Sequence, residues 1–451
     1  MHDGGAGYTQ RRAALAAALR EAPSGAPLGL AKHTSNLFRD RAGGTRRRLD
    51  LRAFDHVLGV DVAAGHVDVE GLCTYEALVD ATLPHGVMPA VVPQLKTITV
   101  GGAIAGVGIE ATSFRHGLVH DTIRELDVLL PSGEVVTATP VNAHADLFFG
   151  FPNSYGTLGY ALRARCATLP VKPWVRVEHR RHASAGAFFA DVAEAIRSDA
   201  DFVDGVVFDA GTLVLSRAAF VDPVAGVVPS DYTYERIYYR SLPEREIDHL
   251  TVRGYLWRWD TDWFWCSKNL GAQNPLLRRL YGRSRLNSRT YTKIMRFNSR
   301  HGITRRLAGL RGVHPESVIQ DIDIPLARAE AFLAFLLREI GILPIWICPI
   351  RGARADRRFP LYPLEPGTPY VNFGFWDVVQ SRDAHAPGHF NRLVERETAR
   401  LGGIKSLYSD SYFTRDEFEA AYDMTPYRAL KAKVDPDGRA LGLYEKCVLH
   451  A

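Results

Sequence analysis

The chain has 451 residues, too many for one compact core, so two or three domains are expected. Hydrophobic residues make up 46% and charged residues 23%, which excludes wholesale disorder. A formal charge of +5 is too small to mark the whole chain as nucleic-acid binding.

The five cysteines are scattered and form no CxxC pair, so neither a zinc site nor a disulfide framework is signalled. Reduced thiols in a cytoplasmic protein are expected. Met1 to Ala22 reads as a short surface helix, and no apolar run approaches the ~20 residues of a membrane span. A soluble protein is expected, peripheral at the inner face of the membrane if it is attached at all.

In chain order, Val67-Asp68-Val69 alternates like a half-buried strand, and Thr74 caps a helix reaching Leu83. Asp127 to Val136 reads as a hairpin around Pro131-Ser132-Gly133, and Tyr160 to Leu169 as a further strand. The character changes near Lys172-Pro173-Trp174. Beyond lie a helix from Ala185 to Ile196 and strands near Val206 and Val214. A helix from Pro325 to Ile340 follows, with Asp323 as its cap, then strands at Ile345–Ile350 and Val371–Trp376. Thr414 and Glu417 make a capping box for a helix through Tyr422. Interleaved strands and helices imply an α+β architecture in both halves.

The most informative stretch runs from Thr97 to Gly108 and contains Gly101, Gly102, Gly106 and Gly108. Such glycines let backbone amides approach a bulky anion, as at a pyrophosphate. A Walker loop would end in Gly-Lys-Ser/Thr, which is absent. A dinucleotide fingerprint can be placed on Gly106-Val107-Gly108-Ile109-Glu110-Ala111, but it must open a helix, and Thr112 to Gly117 is poor helix material.

The wider neighbourhood adds Pro93, Gly117, the 127–136 hairpin, Asp146-Leu147-Phe148 and Gly156-Thr157-Leu158-Gly159. This ordered set resembles the FAD domain of the vanillyl-alcohol-oxidase (PCMH) type. Ile109 to Ser113, Gln320-Asp321, Pro344 to Pro349 and Leu407 to Tyr412 narrow the resemblance to the delta-24-sterol reductase, or seladin-like, branch. That branch includes soluble bacterial enzymes that reduce a methylene-branched fatty acyl chain to its methyl-branched form.

The resemblance implies a two-subdomain FAD-binding domain over residues 1–172 and an α+β substrate (cap) domain over 173–400. A C-terminal segment, 401–451, would pack back near the flavin. It implies FAD contacts from Thr97, Thr99, Gly101, Gly102, Gly106 and Gly108, and further along from Gly156, Thr157 and Gly159. The first phosphate loop reads Ala31-Lys32-His33-Thr34-Ser35-Asn36, without the family's usual glycines. Non-covalent FAD is expected, with Lys32, Thr34 and Ser35 meeting phosphate. His33 falls about where some relatives attach the flavin covalently. The membrane helix of the sterol reductases has no counterpart here, which turns the expectation from a sterol toward an acyl chain.

An isolated alkene accepts a hydride only if a proton arrives at its other carbon. An acid that stays protonated near neutrality is therefore needed, and burial can raise a carboxyl pKa far enough. The candidates are Glu110, Asp321, Asp323 and Asp410, with Tyr408 as an auxiliary donor. Glu110 ranks first because it adjoins the glycines. No residue spacing implies a metal.

From Trp263 to Pro315 there is no Asp or Glu, while twelve cations run from Lys268 to Arg311. With Trp257, Trp259, Trp263 and Trp265 beside them, they read as a face for anionic lipid. Solvated charges over core tryptophans are the plainer reading. No recognition module supports nucleic acid. Part of the patch would serve NADPH or a small redox protein as electron donor. The expected function is FAD-dependent reduction of a lipid carbon–carbon double bond. A sterol side chain is the second substrate, and oxidation of an alcohol or hydroxy acid is the alternative chemistry.

Overall fold

The computed structural model describes residues 4–21, 28–32, 38–39, 47–301, 312–354 and 357–450. Two antiparallel sheets organise it. The first takes the strands Val57–Asp61, His66–Glu70, Tyr160–Pro170, Ile123–Leu129 and Val135–Ala138 in that spatial order. Val87–Pro89 pairs with the far end of Tyr160–Pro170. A small parallel pair, Leu28–Ala31 with Arg47–Asp50, stands apart. The 127–136 hairpin forms as expected, turning at Gly133 with a φ of +90°.

The second sheet has eight strands. Its spatial order is Ile247–Thr251, Trp174–His182, Thr212–Val221, Phe202–Asp209, Ile345–Ile350, Tyr370–Ser381, His314–Pro325 and Ile404–Lys405. Because side chains alternate along a strand, this sheet packs apolar residues on both of its faces. Val203, Val207, Ile322, Ile324, Ile345, Ile347, Phe373 and Phe375 pack under the helices Ala185–Ala195, Ala329–Phe335 and His389–Arg400. Phe202, Val206, Trp346, Cys348 and Ile350 point the other way, into a core shared with the first sheet.

The helix Gly4–Arg20 lies on the surface as expected, anchored by the buried Tyr8 and Leu19, and Tyr8 donates to Asp127 at 2.6 Å. One expectation needs correction. Asp323 caps no helix, because it belongs to the strand His314–Pro325 and accepts from Tyr362 and Asn372. The helix begins only after Pro325, whose ring cannot continue a central strand. Thr74, Ser184 and the Thr414–Glu417 capping box do cap helices, as their side chains imply. All five cysteines are unpaired. Among the described residues no helix is long and apolar enough to cross a membrane.

Candidate active site

Between the two sheets lies a cavity of about 380 Å³. One wall is the glycine stretch. Thr99 caps the short helix Val100–Ala105, its hydroxyl accepting from the Gly102 amide at 3.3 Å. The Gly101 amide donates to Gly71 O at 2.8 Å, and the Gly108 amide to Ala103 O at 2.9 Å. The glycines here serve close packing as well as exposure. A Cβ on Gly101 would fall 2.9 Å from Gly71 O, and one on Gly108 would fall 2.7 Å from Val119 Cγ2. Only a bare backbone fits between that packing and the cavity.

Lys32, Thr97, Thr99, Gly101 and Gly102 line this cavity, as do Gly106, Gly108, Gly156 and Gly159. Gly159 has a φ of +138°, a conformation nearly reserved for glycine. Thr157 does not line it. That side chain is fully buried and donates to Ser154 O at 2.8 Å, a turn-stabilising role. His33, Thr34 and Ser35 lie outside the described residues.

The opposite wall comes from the second sheet and from the turns before its later strands. Trp263, Phe264, Trp346 and Trp376 give it an aromatic lining, and Asp321 sits among them. Trp263 and Phe264 both carry positive φ, at 45° and 59°. Trp376 Nε1 donates to Tyr408 Oη at 2.8 Å, and the Tyr408 hydroxyl in turn bonds the Asp321 carboxyl. Asp321 Oδ1 is buried, with no hydrogen-bond partner among the described residues. Burial, with the nearby Asp323 carboxyl adding to it, pushes the Asp321 carboxyl up to about 7 against the pull of the Tyr408 bond.

Glu110, first among the sequence candidates, is not at the cavity. Ile109 lines it, but Glu110 turns behind the wall, 2% exposed. There Arg258 Nη2 binds Glu110 Oε1 at 3.0 Å and Asp204 Oδ2 at 2.7 Å, with its guanidinium 4.0 Å from the Tyr255 ring centroid. Burial raises the Glu110 carboxyl and Arg258 opposes the rise. Neighbouring a flexible glycine run does not fix the direction of the next side chain, and here Ser113 Oγ, accepting from the Glu110 amide, helps set the turn. Asp410 also lies one contact behind, 3.7 Å from Nδ1 of the cavity residue His450.

The tryptophans expected on a lipid face are buried instead. Trp257, Trp259, Trp263 and Trp265 all belong to the core, because the turns around Asp260 and Asp262 fold them inward. Of the cations in that tract, Arg305, Arg306 and Arg311 lie outside the described residues. Asp55, His56 and Glu70 bring ligand atoms within 4.8 Å of one another, but Arg11 and the His56 amide already occupy Glu70.

Residues not anticipated are Gln94, Arg258 and Trp376. Gln94 lines the cavity, and its buried Nε2 finds no acceptor among the described residues. The walls fit a flavin dinucleotide. Bare glycine backbone flanks the site, Lys32, Arg39 and Lys446 supply positive charge for a diphosphate, and the orphaned Gln94 donor awaits an acceptor.

These features define a flavoprotein, and residues 9–139 match the FAD binding domain family. Similarity continues well past that domain. The chain is 26% identical over 426 residues to the delta(24)-sterol reductase of Macaca fascicularis, covering 89% of this chain and 78% of the relative. It is 27% identical over 356 residues to that of Arabidopsis thaliana, covering 72% and 60%. Cytokinin dehydrogenase 7 of Oryza sativa subsp. japonica is 33% identical over 168 residues, 35% of this chain and 32% of the relative. The chain is an FAD-dependent oxidoreductase with a PCMH-type flavin domain, and over most of its length it is similar to the delta(24)-sterol reductases.

Proposed function

We propose that the protein reduces a carbon–carbon double bond in a lipid, with Asp321 as the proton donor. The preferred substrate is a methylene-branched fatty acyl chain, carried on a phospholipid and converted to its methyl-branched form. A delta-24-type sterol side chain is the second choice. The observation that carries the reading is a protonatable carboxyl set into an aromatic wall opposite the glycine backbone.

FAD, held non-covalently, would supply the hydride when reduced, and NADPH would restore it. The chain's own groups do the rest. Gly101, Gly102, Gly106 and Gly108 present backbone to the dinucleotide, while Lys32 and Lys446 balance its charge. Trp263, Phe264, Trp346 and Trp376 exclude water and accept an apolar chain. Asp321 holds a proton near neutrality because its ionised form is poorly solvated. Proton transfer to the less substituted alkene carbon leaves positive charge on the fully substituted carbon, where the hydride arrives. Two electrons and two hydrogens are thus added, and solvent reprotonates Asp321. Tyr408, fixed by Trp376, orients the carboxyl and does not supply the proton.

Purified protein should be yellow. Under anaerobic conditions it should consume NADPH only when a methylene-branched lipid is added. In D2O one deuterium should appear on the less substituted carbon. Substrate-dependent hydrogen peroxide without alkene reduction would instead establish alcohol or hydroxy-acid oxidation.

A further inference from the structure

The helix Pro275–Tyr281 carries an apolar face that none of the described residues covers. Leu276 is 71% exposed and Leu280 is 76% exposed, and Leu277 beside them is exposed too. Positions four apart share one face of a helix, so Leu276 and Leu280 form a ridge. Single exposed leucines are ordinary on a soluble protein, but three on two turns are not. On the following helix, Ser288–His301, Met295 and Phe297 are also exposed.

Two observations tie this face to the cavity. Met295 itself lines the cavity, so the exposed apolar residues of the second helix reach its wall. Tyr281, which ends the first helix, donates to the carbonyl of Leu270, another lining residue, at 3.2 Å. Charge then selects the occupant. Arg279, Arg285 and Lys293 stand among the exposed apolar residues, and among the described residues no carboxylate pairs with them. The acids nearby are already engaged: Asp231 holds Arg283, Glu76 holds Arg289 and Asp377 holds Lys268. An apolar ridge rimmed by cations fits an anionic bilayer, with leucines among the acyl chains and cations at the phosphates.

We propose that the helices Pro275–Tyr281 and Ser288–His301 form a docking face for an anionic lipid surface. That face places the mouth of the flavin cavity against the membrane that carries the substrate. The inference rests on the lipid reading of the cavity, but it can be tested without substrate.

Flavin-loaded protein is sedimented with phosphatidylcholine vesicles and with vesicles containing phosphatidylglycerol. Binding to the anionic vesicles is expected, weakened by high salt as screening shortens the reach of the charges. L276S/L280S should lower the partition coefficient by roughly tenfold or more, since each buried leucine is worth about a factor of ten. R279Q/R285Q/K293Q should abolish the preference for anionic vesicles. Visible absorbance per mole of protein reports whether each variant has kept its fold. Wild-type protein that ignores anionic vesicles, or L276S/L280S that binds them undiminished, overturns the proposal. Concentration-dependent dimerisation removed by L276S/L280S, without vesicle binding, would assign the face to a second copy instead. Vesicle binding with no alkene reduction would leave the docking face standing and remove only the reaction.

Discussion

Asp321 lies directly opposite Gly374 across two paired strands, and Gly374 is in turn opposite Trp346 on the next strand. A Cβ on Gly374 would fall 2.9 Å from Asp321 Oδ1 and 2.6 Å from Cη2 of Trp376. The missing side chain is what lets the indole lean over the carboxyl. Gly374→Ala must therefore displace one of them. It should retain bound flavin, measured by absorbance, yet lose turnover on the lipid alkene by tenfold or more.

Replacing Asp321 by Asn keeps the shape and removes the proton. A positioned general acid is typically worth a factor of ~10²–10⁴. Asp321→Asn should slow alkene reduction by that range while NADPH still reduces the bound flavin in stopped-flow measurements. Flavin reduction and alkene reduction falling together would argue against an acid role.

The acid form is the active one, so the pH profile has a definite sign. With the Asp321 carboxyl pushed up to about 7, the alkene-reduction rate should hold below neutrality and fall as pH rises through that value. Stability should follow the same group. The folded state binds this proton more tightly than the unfolded chain, so stability falls between about pH 4 and 7 as the unfolded chain loses the proton first. Asp321→Asn should flatten that part of a denaturation profile and leave the variant more stable than wild type at pH 8.

The buried ion cluster behind the glycines gives an asymmetric expectation. Arg258 is the single cation set between Glu110 and Asp204. Arg258→Leu leaves two carboxyls in the core unpaired, a loss of roughly 3–5 kcal/mol by denaturant titration. Glu110→Gln keeps the Asp204 pair and should retain both flavin and most activity.

At Gly159 the backbone and its surroundings both exclude a side chain. Its φ is +138°, and a Cβ would meet Leu129 O at 2.5 Å. Gly159→Ala should cost at least about 1–3 kcal/mol in strain, seen as a lower melting temperature and easier loss of flavin.

Much of this was legible beforehand. Thr74 and the Thr414–Glu417 box mark helix starts because a capping hydroxyl acts within three residues. The glycine run was informative for the same reason: a backbone conformation is a local property. Asp321 required more. Alternation in Asp321-Ile322-Asp323-Ile324 separates acids from isoleucines, but it does not say which face meets a cavity or whether a partner waits there. Asp323 finds Tyr362 and Asn372, while Asp321 Oδ1 finds none among the described residues. The direction of Glu110 depended on Arg258, 148 residues away, and the fate of the tryptophans on how a long irregular segment folds inward.

The Arg258 bridge also governs how a substrate can get in. It joins the turn after the glycines to the strand Phe202–Asp209, and Val203 N donates to Ala111 O at 2.9 Å beside it. A clamshell motion of the two halves would have to strand a guanidinium and two carboxyls in oil. The hinge is in effect riveted shut. On the proposed reading, a long lipid therefore enters a cavity whose two walls are already joined, instead of one that closes over it.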